Sequence, residues 1–338
     1  MATPTHGAVS GKEASAVVNY HLDAAWVAEE CRAHSNWGRW GADDEIGSWN
    51  LVTAAKVAEA AQCVRQGRVF SLALPFGPGG PGDKARPGRG NATLFVSMSG
   101  SDIATGALDR RFPGSGKFTE DWVQMNLSSS TQWDGFAHVF HNGEGYNGAP
   151  ATTVTSQGAR RNSITALADR IVTRAVLLDL PAVAGLSWLE PGTAVQPEDL
   201  DHALDAQHTG IRPGDVLLVR TGQLAQVRDR ADWGDYSGLG PAPGLGARCG
   251  GWLARHDVAA VASDTWGLEV FPYETPDTLA PLHQIILTHC GISIGEMFDL
   301  EGLAADCAVT GRYDSMLVAA PLPIKRAINS PVNPIAIR

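Results

Sequence analysis

The segment Leu127-Ser128-Ser129-Ser130-Thr131-Gln132-Trp133-Asp134-Gly135-Phe136-Ala137-His138 constrains this chain most, because Gln132, Asp134 and His138 stand two and four residues apart. An extended strand turns alternate side chains to one face, so this spacing aims an amide, a carboxylate and an imidazole the same way. Such a trio can hold a divalent cation and handle a proton beside it. The structural alternative is that Asp-Gly forms an ordinary turn and the imidazole packs, hydrogen-bonded, among aromatic residues.

A second segment points in the same direction. In Pro281-Leu282-His283-Gln284-Ile285-Ile286-Leu287-Thr288-His289-Cys290-Gly291-Ile292-Ser293-Ile294-Gly295-Glu296, an imidazole opens an apolar run and a carboxylate closes it. Gly291 reads as a helix stop, and the alternation after it reads as a short strand. His283 and Glu296 are therefore expected at the ends of consecutive elements near one cleft, and both are good zinc or manganese ligands.

Together these residues resemble the cyclase family of metal-dependent hydrolases, which includes bacterial kynurenine formamidase, isatin hydrolase and related lactone- or amide-opening enzymes. The first segment is similar to the family signature HxGTHxDxPxH, and the second to its HxxLL…GIxIxEnL stretch. Residues 174–180, 213–222 and 262–265 also resemble family strands, so the likeness spans roughly residues 65 to 310 in the expected order. It implies an α/β fold, a swivelling β/β/α domain of the cyclase-like type.

This chain departs from the signature at four positions. Ser128 stands for the first His, Ser130 for the Gly, Gln132 for the second His and Phe136 for the Pro. With two imidazoles gone, a full two-metal site is not expected. The resemblance leaves Asp134, His283 and Glu296 as ligands, with Gln132 able to offer a carbonyl oxygen. That set suits one divalent ion, zinc or manganese, with positions left for water and substrate. His138 matches the last His of the signature and is the candidate acid/base. The implied reaction is hydrolysis of a lactone, cyclic amide or formamide. Two other readings stay open: a cyclase or dehydratase acting on a polyketide-like molecule, and a non-catalytic binding protein with a degenerate metal site.

Charge narrows the partners. Acidic residues outnumber basic ones 36 to 26, a formal net charge of -10, which disfavours nucleic acid and anionic membrane. A small-molecule substrate and a homo-oligomer are expected instead. The five cysteines, Cys31, Cys63, Cys249, Cys290 and Cys307, are widely spaced with no CxxC pair, which indicates neither a disulfide framework nor a zinc knuckle. With no signal-peptide pattern at the start and no long apolar run, a cytoplasmic protein is expected.

Residues 1–64 read as a helical N-terminal extension packed on a main domain of residues 65–338. Helices are expected over 14–33 and over 54–65, the second capped by Thr53 and ended by Gly67. The glycine-rich loop between them carries Trp37, Trp40 and Trp49 and resembles the "NWGRWG" start of longer cyclase-family members. Its tryptophans either pack the extension or, as Trp37, Trp40 and Phe136 would, wall a pocket for a planar substrate. Residues 69–74 alternate like a strand, and the Gly/Pro-dense stretch 75–91 reads as a long loop, a candidate flap. Gly143-Glu144-Gly145-Tyr146-Asn147-Gly148 spells GxGxxG, but Pro150 stands where a dinucleotide-binding helix should run, so it reads as a loop. Arg220 and Asp264 could orient a ligand or form structural ion pairs, and His141 could support the site or sit at the surface.

Overall fold

The computed structural model describes residues 22–84, 88–238 and 240–338. Its frame is one nine-stranded sheet. In chain order the strands are β1 (Val69–Ser71), β2 (Gln132–Asp134), β3 (Val172–Asp179), β4 (Val216–Arg220), β5 (Ala260–Ser263), β6 (Ser293–Glu296), β7 (Asp314–Val318), β8 (Asn329–Pro331) and β9 (Ile335–Ile337). Across the sheet they run β1-β9-β7-β3-β4-β5-β6-β2-β8. The central four, β3 to β6, are parallel neighbours, and the flanking pairs are antiparallel.

This order follows from the side chains. Val216, Leu217, Leu218 and Val219 of β4, and Ala260, Val261 and Ala262 of β5, are fully buried. Such unbroken apolar runs belong in the covered centre of a parallel sheet. Each fully buried Val or Leu is worth about 1.5–3 kcal/mol relative to exposure, so the centre anchors the less apolar edges. β2 alternates instead: Trp133 goes to one face, and Gln132 and Asp134 to the other. Register pairs Asp134 with Ile294, Trp133 with Gly295 and Gln132 with Glu296. Gly295 is required there. A Cβ on it would sit 2.6 Å from Ala262 Cβ and 2.8 Å from both Trp133 and Phe298.

The helices that matter for the site are α1 (Ala24–Ala33), α2 (Ala54–Ala61), α3 (Cys249–Arg255), and α4, which begins as Pro281–His283 and continues with π-helical turns over Gln284–Cys290. Gly291 ends α4 with φ 64°, the left-handed stop that its sequence position predicts. Thr53 caps α2 as expected, its hydroxyl accepting from Lys56 N–H. That helix ends earlier than the expected 65, because tight turns at Cys63 and Val64 redirect the chain so that Gln66 N–H reaches Arg338 O. Helix α1 covers the second half of the expected 14–33 helix; residues 14–21 lie outside the described residues. Val27, Cys31 and Trp49 join the same core as β3 to β6 and α4, and the Trp49 indole N–H donates to Ser293 Oγ at 2.8 Å. The strand expected over 69–74 is regular only over Val69–Ser71. The GxGxxG stretch is a loop with a 3-10 turn over Tyr146–Gly148. Among the described residues, no helix is long and apolar enough to cross a membrane.

Candidate metal centre

Strand β2 delivers Asp134 and Gln132, β6 delivers Glu296 from its last position, and the first turn of α4 delivers His283. The cross-strand register and the Gly291 turn bring them together: one ligating atom each of Asp134, His283 and Glu296 lie within 4.8 Å of one another, and all three residues are buried. His283 Nε2 is 3.4 Å from Glu296 Oε1 and 3.9 Å from Asp134 Oδ2.

The His283 ring is held from behind. Its Nδ1–H donates to Glu269 Oε1, and Glu269 also accepts from the backbone N–H of Leu282 at 3.1 Å and of His283 at 3.3 Å. This carboxylate–imidazole contact aims Nε2 at Asp134 and Glu296, the arrangement that orients a histidine ligand. Burial works against a charged imidazole, but Glu269 and Glu296 outweigh it and push His283 up to about 10. Burial raises Glu296, with the Asp134 charge adding to it and His283 opposing, to about 7.

Two buried acceptors here have no hydrogen-bond partner among the described residues: Asp134 Oδ2 and Gln132 Oε1. An acceptor left without a partner in a dry site is costly. Two carboxylates, an imidazole and orphaned oxygens are the donor set a divalent cation fits. Without an ion, Gln132 turns its amide nitrogen to the carboxylates: Nε2 donates to Glu296 Oε2 at 2.7 Å and to Asp134 Oδ1 at 3.3 Å, because an amide N–H is the favourable neighbour for two carboxylates.

His138 follows β2 by a turn, its backbone N–H donating to Gly135 O at 3.0 Å. Its Nε2 lies 3.9 Å from Asp134 Oδ1. Asn329 of β8 fixes the ring. Asn329 Oδ1 accepts from Gly135 N–H at 3.3 Å, so its Nδ2 donates to Ser128 Oγ at 2.8 Å and to His138 Nδ1 at 3.2 Å. The neutral ring therefore carries its proton on Nε2, the nitrogen facing Asp134. Burial lowers the His138 pKa, with His283 adding to it against Asp134.

The cluster opens into a cavity of about 320 Å³ lined by His138, Glu269, His283, Glu296, Trp266 and Arg89, among others. That volume suits a small molecule. Arg89, from the expected flap loop, stands with its guanidinium 5.3 Å from the Trp266 ring centre. The expected substrate-binding aromatics do not line this cavity. Phe136 is buried against Tyr146, Trp37 stacks on His289, and Trp40 lies under the Arg39 guanidinium. Sequence reasoning missed Glu269, Asn329 and Trp266, because each reaches the site through tertiary packing and none falls in a local motif. Arg220 and Asp264 are structural. Arg220 pairs with Asp179 and Glu301, and Asp264 accepts from the N–H groups of Thr221 and Gly222.

Comparison with known proteins agrees with this architecture. The Cyclase family model matches residues 43–270, and the chain belongs to that family. A crystal structure described as a novel cyclase superposes with a TM-score of 0.83 at 34% identity, covering 90% of this chain and 99% of that one. Isatin hydrolase A from Labrenzia aggregata, bound to benzyl benzoate, shares the fold with a TM-score of 0.58 at 19% identity, over 82% of this chain and 94% of that one. An isatin hydrolase bound to thioisatinate gives 0.57 at 17% identity, over 84% and 95%. No curated protein sequence matches the chain.

Proposed function

We propose that this protein is a metal-dependent hydrolase that opens a lactone, cyclic amide or formamide. The observation that carries the reading is the convergence of Asp134 with His283 and Glu296, two residues that line the cavity, with Asp134 Oδ2 lacking a hydrogen-bond partner among the described residues. Asp134, His283 and Glu296 would hold the ion, zinc or manganese, and the Gln132 amide can offer oxygen in place of nitrogen by half a turn about its last torsion. When bound, a divalent cation supplies the Lewis acid and activated water of hydrolysis.

The chain's own groups do the rest. Glu269 holds His283 in register by fixing its Nδ1 proton. His138 meets the substrate with Nε2–H, a donor to the atom on which charge develops or to the leaving group. Arg89 gives the cavity a cation that suits the carboxylate an opened ring carries. Trp266 and Tyr236 supply apolar walls, which keep water out and strengthen these contacts.

Partners and compartment fit the same reading. The ribbon of Thr93–Met98 and Glu120–Gln124 exposes Leu94, Val96, Trp122 and Val123, apolar surface that suits contact between copies in a homo-oligomer. The five cysteines are free, which suits a reducing cytoplasm. The test is turnover of cyclic amides and lactones by chelator-treated protein, with and without added zinc or manganese. Products heavier by one water, formed only with metal, support the reading. Products of unchanged mass or lighter by one water point to cyclase or dehydratase chemistry, and no turnover with metal bound refutes it.

A further inference from the structure

Away from the cavity, a second set of ligating atoms converges. Cys31 of α1, His141 from the loop after β2, and His289 near the end of α4 place a sulfur and two ring nitrogens within 4.8 Å of one another. The three residues lie far apart in sequence, and no spacing rule joins them.

The imidazoles are oriented by neighbours. The Trp37 ring stacks on His289 with centroids 4.8 Å apart and planes within 7°, and is itself pinned by its N–H to Thr288 O at 2.8 Å. His141 Nδ1 lies 2.9 Å from His289 Nε2, and Asn142 Nδ2 faces His141 Nε2 at 3.1 Å. Asn142 donating there leaves the His141 proton on Nδ1, shared with His289 Nε2. Burial lowers the pKa of both rings, with His141 adding to the effect on His289, which falls to about 4, and it pushes the Cys31 thiol up to about 12. Neutral imidazoles offer lone pairs. Cys31 is fully buried while both histidines are half-buried, so one side of the cluster reaches solvent.

We infer that Cys31, His141 and His289 form a second metal site, selective for zinc, with a thiolate, two imidazoles and a fourth position open to water. Thiolate plus imidazole is a zinc set, whereas the oxygen-rich Asp134 cluster suits hard and borderline ions alike. Binding is proton exchange without redox change. The Cys31 S–H bond breaks and its proton leaves to solvent as the sulfur–zinc bond forms. The His141 proton moves from Nδ1 to Nε2, freeing Nδ1, and the Asn142 amide turns toward solvent. The filled site would staple α1 to the far end of the helix that carries His283.

Cobalt(II) is the probe, because a thiolate ligand gives a charge-transfer band in the near ultraviolet that oxygen and imidazole ligands do not. The experiment titrates the full-length, chelator-treated protein. The band should appear in the wild type and in Asp134→Ala, vanish in Cys31→Ser, and be displaced by zinc. His289→Gln should shift the titration to at least about tenfold higher cobalt, the scale of losing a ligand's support. Cys290→Ser controls for the neighbouring thiol and should keep the band. Absence of the band in folded wild type, or its survival in Cys31→Ser, would mean that the two histidines are only a packed hydrogen-bonded pair. Because the Asp134→Ala arm lacks the oxygen-rich cluster, the outcome is independent of the proposed hydrolase activity.

Discussion

Replacing Glu269 by Gln is the sharpest perturbation of the metal centre that leaves every proposed ligand in place. Glu269 accepts three N–H groups on two oxygens, from the His283 ring, His283 N and Leu282 N. Glutamine offers one oxygen, so at least one buried donor would face an amide N–H₂. Losing a buried hydrogen bond to a charged group costs about 1.5–3 kcal/mol. Losing the outer partner of a histidine ligand weakens metal binding by roughly 10–100-fold, which corresponds to about 1.4–2.7 kcal/mol at about 1.36 kcal/mol per decade. The two figures agree in scale. Calorimetric titration with manganese should therefore show a Kd about 10–100-fold higher in Glu269→Gln.

The same substitution has a pH signature in the metal-free protein. His283 is raised from 6.5 to about 10. The stability this gives is fully present below pH 6.5 and is lost as pH rises through 10. Melts of wild type and variant should thus differ most below pH 6.5 and converge toward pH 10. An unchanged manganese Kd in folded Glu269→Gln would refute the argument that Glu269 aims His283 at a metal.

Three further outcomes are expected. His138→Ala should keep its metal and lose about 10²–10⁴-fold in kcat; a variant stripped of metal would make His138 a ligand, and wild-type turnover would make it only a packed side chain. Asn329→Asp puts a carboxylate beside His138 Nδ1, 3.2 Å away in the wild type, and should move the acidic limb of the pH–rate profile to higher pH; an unmoved limb would detach Asn329 from His138 titration. Metal affinity should rise with pH, since the ion displaces one proton from His283 between pH 7 and 10 and a second from Glu296 below its raised value of about 7. The slope of log affinity should be about 1 above pH 7 and steeper below it, and a flat profile would contradict these protonation states.

Much of this architecture was readable in the amino-acid order, because its signals are local. The buried apolar runs around residues 216–219 and 260–262, the Gly291 stop and the Thr53 cap each depend on neighbours within a few residues. The period of two put the amide and carboxylate of Gln132-Trp133-Asp134 on one face, because strand geometry enforces it, but the strand ends at Asp134 and His138 reaches the site through a turn and not along the expected extended strand. The rest depends on contacts across the fold. Glu269 reaches His283 over a loop, and Asn329 reaches His138 from 191 residues away. Trp37 had no sequence cue to separate packing from substrate contact, and the fold places it on His289. The Gln132 amide orientation is set by the two carboxylates beside it, which only the assembled sheet brings together.

Asp134, His283 and Glu296 are the proposed ligands of a divalent metal ion. Manganese binding, read from the loss of the free aqua-ion's electron paramagnetic resonance signal, tests this assignment most directly, because manganese favours oxygen-rich sites over thiolate ones. Chelator-treated wild type should take up one manganese ion, and folded Asp134→Ala should take up none at the same concentrations. Equal manganese uptake by the two proteins, or none by folded wild type, would mean that these three residues do not hold the ion.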